Sequence, residues 1–222
     1  MSTVLVVAPH PDDESLGCGG TLLRHIAEGD SVHWIIVTTM TVSQGFSEDR
    51  IATRNAEIDS VASAYGFSEV HRIGLPTTRL DTLAVGDLVG AIGKVFQAIR
   101  PETVYLPYRN DVHSDHVAVF DASTSCCKSF RHPSVKRVYA YETLSETEFG
   151  LRPEDPGFRP NLFIDISGRV ERKIQILNLY AGEMGDFPFP RSEECVRAQA
   201  VLRGSQAGVH AAEAFMVLKE IR

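Results

Sequence analysis

Two short clusters of histidine and carboxylate side chains are the residues of this chain best suited to chemistry. They are His10-Pro11-Asp12-Asp13-Glu14 and His113-Ser114-Asp115-His116. Imidazole nitrogens and carboxylate oxygens bind catalytic zinc, which keeps one coordination position open for water. His10 and Asp13 are three positions apart, so both can turn onto one small cation. A third ligand from elsewhere in the chain would complete such a site.

Each cluster lies just past the end of a short apolar run that predicts a buried strand, at residues 4–8 and 103–106. Pro9 and Pro11 flank His10, so the backbone there continues neither as a helix nor as an inner strand. The carboxyl ends of parallel strands meet at one edge of a sheet, where ligands bind. We therefore expect the two clusters to meet in space.

Helix capping is the alternative interpretation of the first cluster. Asp12, Asp13 or Glu14 would then stabilise the first turn of the next helix through its dipole. A single histidine, likewise, is more often a structural residue than a metal ligand. Two histidine and carboxylate clusters at one sheet edge favour a metal site over capping.

The rest of the chain predicts alternating strands and helices. Apolar spacing predicts further strands at 32–37, 70–73, 138–141 and 162–166, and helices at 15–28, 50–65, 83–99, 170–180 and 194–203. This alternation is typical of right-handed βαβ units in a mostly parallel sheet. The length of 222 residues and the apolar content of 43% suit one α/β domain over residues 1–222.

Two polar segments, 38–47 and 143–160, follow strands and are expected to select the substrate. The second is long, acidic and rich in proline, which predicts a lid or an oligomer contact. The last twenty residues give no chemistry by their spacing.

Composition narrows the class of protein. The net charge of −7 argues against a nucleic-acid partner, which requires a basic surface. The run at 4–8 is too short for a signal peptide, and no apolar run approaches the roughly 20 residues of a membrane span. The cysteines form no CxxC pair and are interpreted as small buried residues; they are Cys18, Cys126, Cys127 and Cys195. We expect a cytoplasmic protein with no membrane partner.

Three further patterns are less specific. The glycines of Gly17-Cys18-Gly19-Gly20 could cradle a phosphate, but the spacing is not GxGxxG, and close helix packing explains them more simply. Arg54 and Glu57 could form a surface ion pair, or Arg54 could point at a polar substrate. Four further histidines are expected to be structural or exposed, since none has an acidic partner pattern; they are His25, His33, His71 and His132.

With both clusters identified, the sequence resembles the PIG-L/LmbE-like family of zinc-dependent N-deacetylases. Residues 9–14 match the family motif PHPDDE and residues 113–116 match its HxDH. Residues 54–57 resemble its helical RxxE, and 203–208 and 212–215 resemble its closing segment. The resemblance spans nearly the whole chain and implies a Rossmann-like, three-layer α/β domain. It also favours a homo-oligomer.

Carried over residue by residue, the resemblance implies a zinc ion bound by His10, Asp13 and His116. It implies that Asp12 is the general base, which takes a proton from water and passes it to the departing amine. A cationic His113 would stabilise the developing oxyanion or assist the leaving amine.

Three further residues complete this expectation. Arg54 would contact the sugar or its substituents. Asp115 would orient one of the histidines, as carboxylates around metal sites often do. The chain departs from the family at Asp111, where some members have a tyrosine that helps to hold the tetrahedral intermediate. The substrate implied is an N-acetylated amino sugar, such as N-acetylglucosamine or a conjugate of it.

Three other functions fit parts of the sequence. A zinc amidase could act on a larger or non-sugar amide. A histidine and carboxylate set also fits the facial triad of iron(II) oxygenases, whose jelly-roll fold disagrees with the predicted helices. A Rossmann-like module could bind a nucleotide through its glycine turn. Neither of the last two uses both clusters.

Overall fold

A computed structural model describes residues 1–151, 154–155 and 157–222 of the chain. Among these residues, seven strands form one sheet in the order β3-β2-β1-β4-β5-β7-β6. They are β1 (Thr3–Ala8), β2 (Ser31–Thr39), β3 (Glu69–Pro76), β4 (Thr103–Pro107), β5 (Arg137–Tyr141), β6 (Leu162–Asp165) and β7 (Ala212–Glu220). The first five strands of the sheet are parallel, and β7 is antiparallel to both of its neighbours. The predicted mostly parallel α/β fold is confirmed.

Six α-helices of the described chain flank this sheet. They are α1 (Asp13–Ala27), α2 (Glu48–Tyr65), α3 (Val85–Ile99), α4 (Ser114–Cys126), α5 (Val170–Leu177) and α6 (Glu193–Ala207). One apolar core joins α1, α2 and α5 to one face of the sheet, and a second joins α3 and α4 to the other face. The result is the expected three-layer arrangement, which excludes the jelly roll of the oxygenase alternative.

Strand β1 lies near the middle of the sheet and carries the first cluster at its carboxyl end. Its alternating side chains enter both cores, with Val4 and Val6 on one face and Leu5 and Val7 on the other. All four are fully buried, as expected of an inner parallel strand covered by helices on both sides. The loop after β1 is therefore anchored by a rigid element.

Strand β7 was not among the strands predicted from the sequence. Glu213 lies in its buried half and forms a 2.7 Å ion pair with Lys173 of α5. The carboxylate also accepts hydrogen bonds from the backbone N–H groups of Gly20 and Thr21. A charged side chain at a buried position disguises the strand, because periodicity identifies strands by apolar residues.

Several predicted boundaries shift. The polar segment 38–47 begins inside β2 and includes a short 3-10 turn at Val42–Gln44. The helix expected at 170–180 ends at Leu177. Within the segment 143–160, Arg152, Pro153 and Pro156 lie outside the described residues. Its role as a lid remains a prediction, although Thr143 and Glu146 at its start are buried.

The glycines at the start of α1 allow close packing. A Cβ on Gly20 would lie 2.7 Å from Cγ2 of Ile166, and one on Gly17 would collide with the ring of Tyr141. This supports the packing interpretation over a phosphate cradle. The four cysteines are free, and Cys195 alone among them is only partly buried. No helix in the described part of the chain is both long and apolar enough to span a membrane.

Candidate active site

The two clusters meet at the carboxyl edge of the sheet, as predicted. His10 follows β1, and His116 lies in the first turn of α4, which follows β4. Oδ2 of Asp13 is 3.3 Å from Nδ1 of His10 and 3.3 Å from Nε2 of His116. The structure therefore brings one atom of each predicted ligand to a common point.

Each of the two imidazoles has a carboxylate behind it. Nε2 of His10 lies 3.0 Å from Asp115, and Nδ1 of His116 lies 2.7 Å from Asp111. Such pairs fix the ring orientation and tautomer of metal-binding histidines. Asp115 therefore contacts His10, as expected of a carboxylate that orients a histidine. The contact of Asp111 with His116 was not predicted, because the sequence marks this position only as one where some family members have a tyrosine.

The donor set fits a divalent cation. Nε2 of His116 is buried without a hydrogen-bond partner in the described chain, although it faces Asp13. Donors about 2.0–2.1 Å from a tetrahedral zinc ion stand roughly 3.3–3.4 Å apart, which matches the two 3.3 Å contacts of Asp13. An orphaned buried nitrogen at this spacing is the feature that an ion would satisfy.

The pKa shifts of the three candidate ligands also fit a site for a cation. Burial lowers the pKa of His10, but Asp115 and Asp13 outweigh it and raise that pKa to about 9. The pKa of His116 is also raised against burial, by Asp13 and Asp111. Burial raises the pKa of Asp13, yet the neighbouring imidazoles bring it well below its usual range. The surrounding carboxylates thus favour positive charge at this point.

A second grouping, His10 with His113 and Asp115, is also compact. The atoms that would bind a metal ion in this group already take part in hydrogen bonds, however. The carboxylate of Asp115 accepts hydrogen bonds from the backbone N–H groups of Thr78 at 2.7 Å and Leu80 at 3.0 Å. Nδ1 of His113 accepts the N–H of Asp115 at 3.0 Å and so caps α4. The set of His10, Asp13 and His116 is the better candidate.

Asp12 is held in an unusual backbone conformation beside this point, with φ of 134°. Its N–H donates to Glu14 at 3.1 Å, and its carboxylate accepts a hydrogen bond from Nη1 of Arg191 at 2.7 Å. Burial raises the pKa of Asp12 to about 8, against the opposing effect of Arg191. The Asp12 side chain makes no capping hydrogen bond, so capping does not explain it.

Glu14 is fully buried and lies outside the candidate ligand set. Its carboxylate accepts hydrogen bonds from the hydroxyls of Ser15 at 2.6 Å and Tyr180 at 2.8 Å. Because it also accepts the N–H of Asp12, Glu14 helps to hold the strained turn.

His113 is half-buried with its ring centroid 4.5 Å from that of His10. Burial and the neighbouring imidazoles lower its pKa to about 4. Since Nδ1 accepts a backbone hydrogen bond, the ring is neutral and carries its proton on Nε2. The structure therefore favours a neutral hydrogen-bond donor rather than the cationic His113 that was expected.

Arg54 is buried, so its interpretation as part of a surface ion pair is wrong. Its guanidinium contacts Glu57 at 3.2 Å and the carbonyl of Pro11 at 3.2 Å, and it forms a close ion pair with Glu183. The ring of Tyr180 lies 5.6 Å from its Cζ atom. These contacts hold the Arg54 side chain in place at the wall of the candidate site.

A cavity of about 180 Å³ opens beside Asp12. It is lined by His10, Pro11, Asp12, Thr38, Thr39, Met40, Arg54, Thr77, His113, Glu146, Glu183 and Arg191. Sequence reasoning missed Glu146, Glu183 and Arg191, which come from irregular segments without spacing patterns. Arg191 connects them, with Nη1 3.1 Å from Glu183 and Nη2 3.5 Å from Glu146.

Three of the other histidines have acidic neighbours after all: His33 and His71 lie 4.0 Å and 3.7 Å from Glu69, and His25 has a closer partner. Nδ1 of His25 lies 2.8 Å from Asp30, and its Nε2 lies 2.9 Å from the hydroxyl of Tyr105. The pair was missed because Asp30 lies beyond the end of α1, outside helical spacing.

A buried histidine and carboxylate centre at the carboxyl edge of a parallel sheet defines a candidate metallohydrolase. Comparison with known proteins identifies the family. The GlcNAc-PI de-N-acetylase family, PIG-L, matches residues 5–127, which is more than half of the chain. The chain belongs to this family, and the predicted enzyme class, a hydrolytic N-deacetylase, is confirmed.

One named relative and two solved structures show what this chain is similar to. The diacetylchitobiose deacetylase of Thermococcus kodakarensis is 26% identical over 226 residues, covering 95% of this chain and 80% of the relative. A conserved protein of Thermus thermophilus is 25% identical with a TM-score of 0.78, covering 100% of this chain and 97% of the other. The 4-carboxy-2-hydroxymuconate hydratase of Pseudomonas putida shares the fold, at 22% identity and a TM-score of 0.73, covering 100% and 98%.

Proposed function

We propose that this chain is a zinc-dependent hydrolase that removes the N-acetyl group from an amino sugar of the N-acetylglucosamine type, free or in a conjugate. The observation that carries the proposal is the convergence of His10, Asp13 and His116 beside Asp12, at the wall of a cavity. Three protein donors next to a carboxylate outside the ligand set are what metal-assisted hydrolysis of an amide requires.

Zinc is the proposed ion because two imidazoles and one carboxylate are a donor set that it commonly takes in hydrolases. When bound, it would polarise the acyl carbonyl and lower the pKa of a coordinated water to roughly 7. The carboxylates at Asp111 and Asp115 would keep the two imidazoles aimed at the ion.

Asp12 is the proposed general base. Its carboxylate lines the cavity next to the ligand Asp13, and Arg191 contacts one oxygen, Oδ2. The other oxygen is then available to take a proton from water and later deliver it to the departing amine. The strained turn at Asp12 supports this role, since strain of this kind collects at functional sites.

His113 is the proposed donor to the developing oxyanion. Its Nδ1 is engaged by the N–H of Asp115, which leaves Nε2–H as its one donor at the cavity. A neutral donor already fixed by the helix cap needs no reorganisation when charge develops on the substrate oxygen.

Arg54 is the proposed contact to the sugar. It lines the cavity, and its ion pairs with Glu57 and Glu183 hold the guanidinium in one position. A fixed arginine can orient the hydroxyl or carbonyl oxygens of a polar substrate.

The cavity supports a small acyl group. Its volume of about 180 Å³ lies below the roughly 300–1,000 Å³ of sites that enclose drug-sized ligands. An acetamido group and part of one sugar ring suit it, while the rest of a conjugate would lie outside. A larger acyl amide is the alternative substrate. The family and the named Thermococcus relative favour the sugar, and the family match likewise favours deacetylation over the hydratase chemistry of the Pseudomonas neighbour.

The proposal is tested by metal analysis and by amine release from a panel of N-acetylated and longer N-acylated amino sugars, with and without a chelator. We expect about one zinc ion per chain from this site and chelator-sensitive release of acetate and amine. His210, which is exposed, provides a control variant, His210→Ala. Amine release only from long-chain or non-sugar amides would replace the sugar with the alternative substrate. Full activity after complete metal removal would overturn the metal mechanism.

A further inference from the structure

A second group of potential metal ligands lies at the opposite end of the sheet. His33 is near the start of β2, and Glu69 and His71 are at the start of β3, the edge strand. In the strand register His33 pairs with Glu69, and Ile35 pairs with His71. Alternate residues of a strand share a face, so all three ligand candidates project from one side of the sheet.

The two imidazoles face each other. Nδ1 of His33 lies 3.3 Å from Nε2 of His71, and the rings are nearly parallel, at 15°. A carboxylate oxygen of Glu69 is 4.0 Å from the same Nδ1 of His33. One donor atom from each residue lies within 4.8 Å of the other two.

From this geometry we propose that His33, Glu69 and His71 form a second binding site for a divalent transition-metal ion. Two nitrogens about 2.0–2.1 Å from a tetrahedral zinc ion stand roughly 3.3–3.4 Å apart, and the imidazole nitrogens here are 3.3 Å apart. Imidazole donors select zinc, nickel, cobalt or copper over magnesium and calcium.

The surroundings support the site. The histidine side chains are each only 13% exposed, so packing restricts their rings. Nε2 of His33 lies 3.2 Å from the Ser31 hydroxyl, which leaves Nδ1 aimed at His71. Glu69 is 61% exposed and has the freedom to swing onto an ion. A direct N–H···N bond at 3.3 Å is longer than the usual 2.9–3.0 Å of amide hydrogen bonds.

A metal ion here would join β3 to β2. An edge strand is held by hydrogen bonds on one side only, so a bound ion would add a cross-strand link. The free energy of unfolding should therefore rise with metal concentration, by RT ln(1 + [M]/Kd) for one site. This effect is separate from hydrolysis, because the active-site ligands lie at the other ends of the strands.

Equilibrium dialysis against zinc tests the proposal, with wild type, His71→Ala, Glu69→Gln and the control His210→Ala. We expect His71→Ala to bind one ion fewer per chain than wild type and the control to match wild type. The exposed Glu69→Gln change should leave the fold intact and weaken this one site by about tenfold or more, as loss of a metal ligand or its support does.

Thermal unfolding supplies a second readout. Zinc should raise the Tm of His116→Ala, which lacks an active-site ligand, and the rise should disappear in the double variant His71→Ala/His116→Ala. Far-UV circular dichroism in chelator checks that each variant is folded. Unchanged zinc stoichiometry in both His71→Ala and Glu69→Gln would overturn the proposal, and so would a zinc-dependent Tm rise that persists in the double variant.

Discussion

The carboxylate of Asp111 lies 2.7 Å from Nδ1 of His116, while Nε2 of the same ring faces Asp13 at 3.3 Å. Asp111 is itself fully buried and accepts a second hydrogen bond, from the hydroxyl of Thr147 at 2.6 Å. This relationship sets the tautomer of His116, because a proton on Nδ1 leaves the lone pair of Nε2 free for a metal ion.

Asp111→Asn should weaken metal binding. An asparagine can present its NH₂ group to Nδ1, which removes the charge and permits the wrong tautomer. We expect about a 10-fold to 100-fold loss of zinc affinity, measured by competition with a chromophoric chelator. Asp121→Asn is the matched control, since the Asp121 side chain forms an exposed pair with Arg109. Equal affinities in the two variants would remove Asp111 from the support of the site.

Asp12→Asn should retain the metal and lose turnover. The amide keeps the size of the side chain but cannot accept a proton, so we expect kcat to fall by about 10²–10⁴-fold. Zinc content and Tm are measured on the same preparation. A near-normal kcat with full zinc occupancy would show that Asp12 is not the base.

Arg191→Gln should lower kcat more than it changes KM. Arg191 donates to Oδ2 of Asp12 at 2.7 Å and also to the hydroxyl of Ser145 at 2.7 Å. Loss of this contact frees the Asp12 carboxylate to rotate, and misplacement of a catalytic group by about 1 Å can cost roughly 10²-fold in rate.

Arg197→Gln is the control for Arg191, because Arg197 is 40% exposed and pairs with Glu171 away from the cavity. Steady-state kinetics separate two roles for Arg191. A large rise in KM with unchanged kcat would assign Arg191 to substrate binding instead of to the positioning of Asp12.

The meeting of the two candidate clusters could be predicted from sequence because they are compact motifs beside strand ends, and parallel topology brings such ends together. Topology predicted only that the two clusters meet, and the family resemblance supplied the particular set of His10, Asp13 and His116. The other half of the site had no such signal. Arg191 and Glu183 reach the cavity from irregular chain between α5 and α6, where no periodicity relates position to direction.

Among the strands, too, some had a local sequence signal and one did not. Strands made of β-branched residues, such as β1, were recognised directly, whereas β7 was not. Its Glu213 satisfies two backbone N–H groups and one ammonium in the interior, and that arrangement depends on partners from α1 and α5. Local patterns report burial of apolar residues, so a charge that is buried through distant contacts is invisible to them.

Lys173→Met tests how far that buried pair supports the sheet. Nζ of Lys173 donates to Glu213 at 2.7 Å and to the carbonyl of Leu16 at 2.8 Å, and both charged side chains are nearly inaccessible to solvent. Methionine fills a similar volume but leaves the carboxylate without its cation. Removing one partner of a buried ion pair typically costs about 3–5 kcal/mol.

Urea unfolding should therefore give Lys173→Met a lower midpoint than wild type, with a similar m-value. Lys128→Met is the control, since Lys128 is exposed and we expect its free energy of unfolding to stay within about 0.5 kcal/mol of wild type. The Glu213 carboxylate also accepts the N–H groups of Gly20 and Thr21 in α1, the helix that begins at Asp13. If Lys173→Met proves as stable as the control, those two backbone contacts are sufficient to hold Glu213, and α1 does not depend on the ammonium.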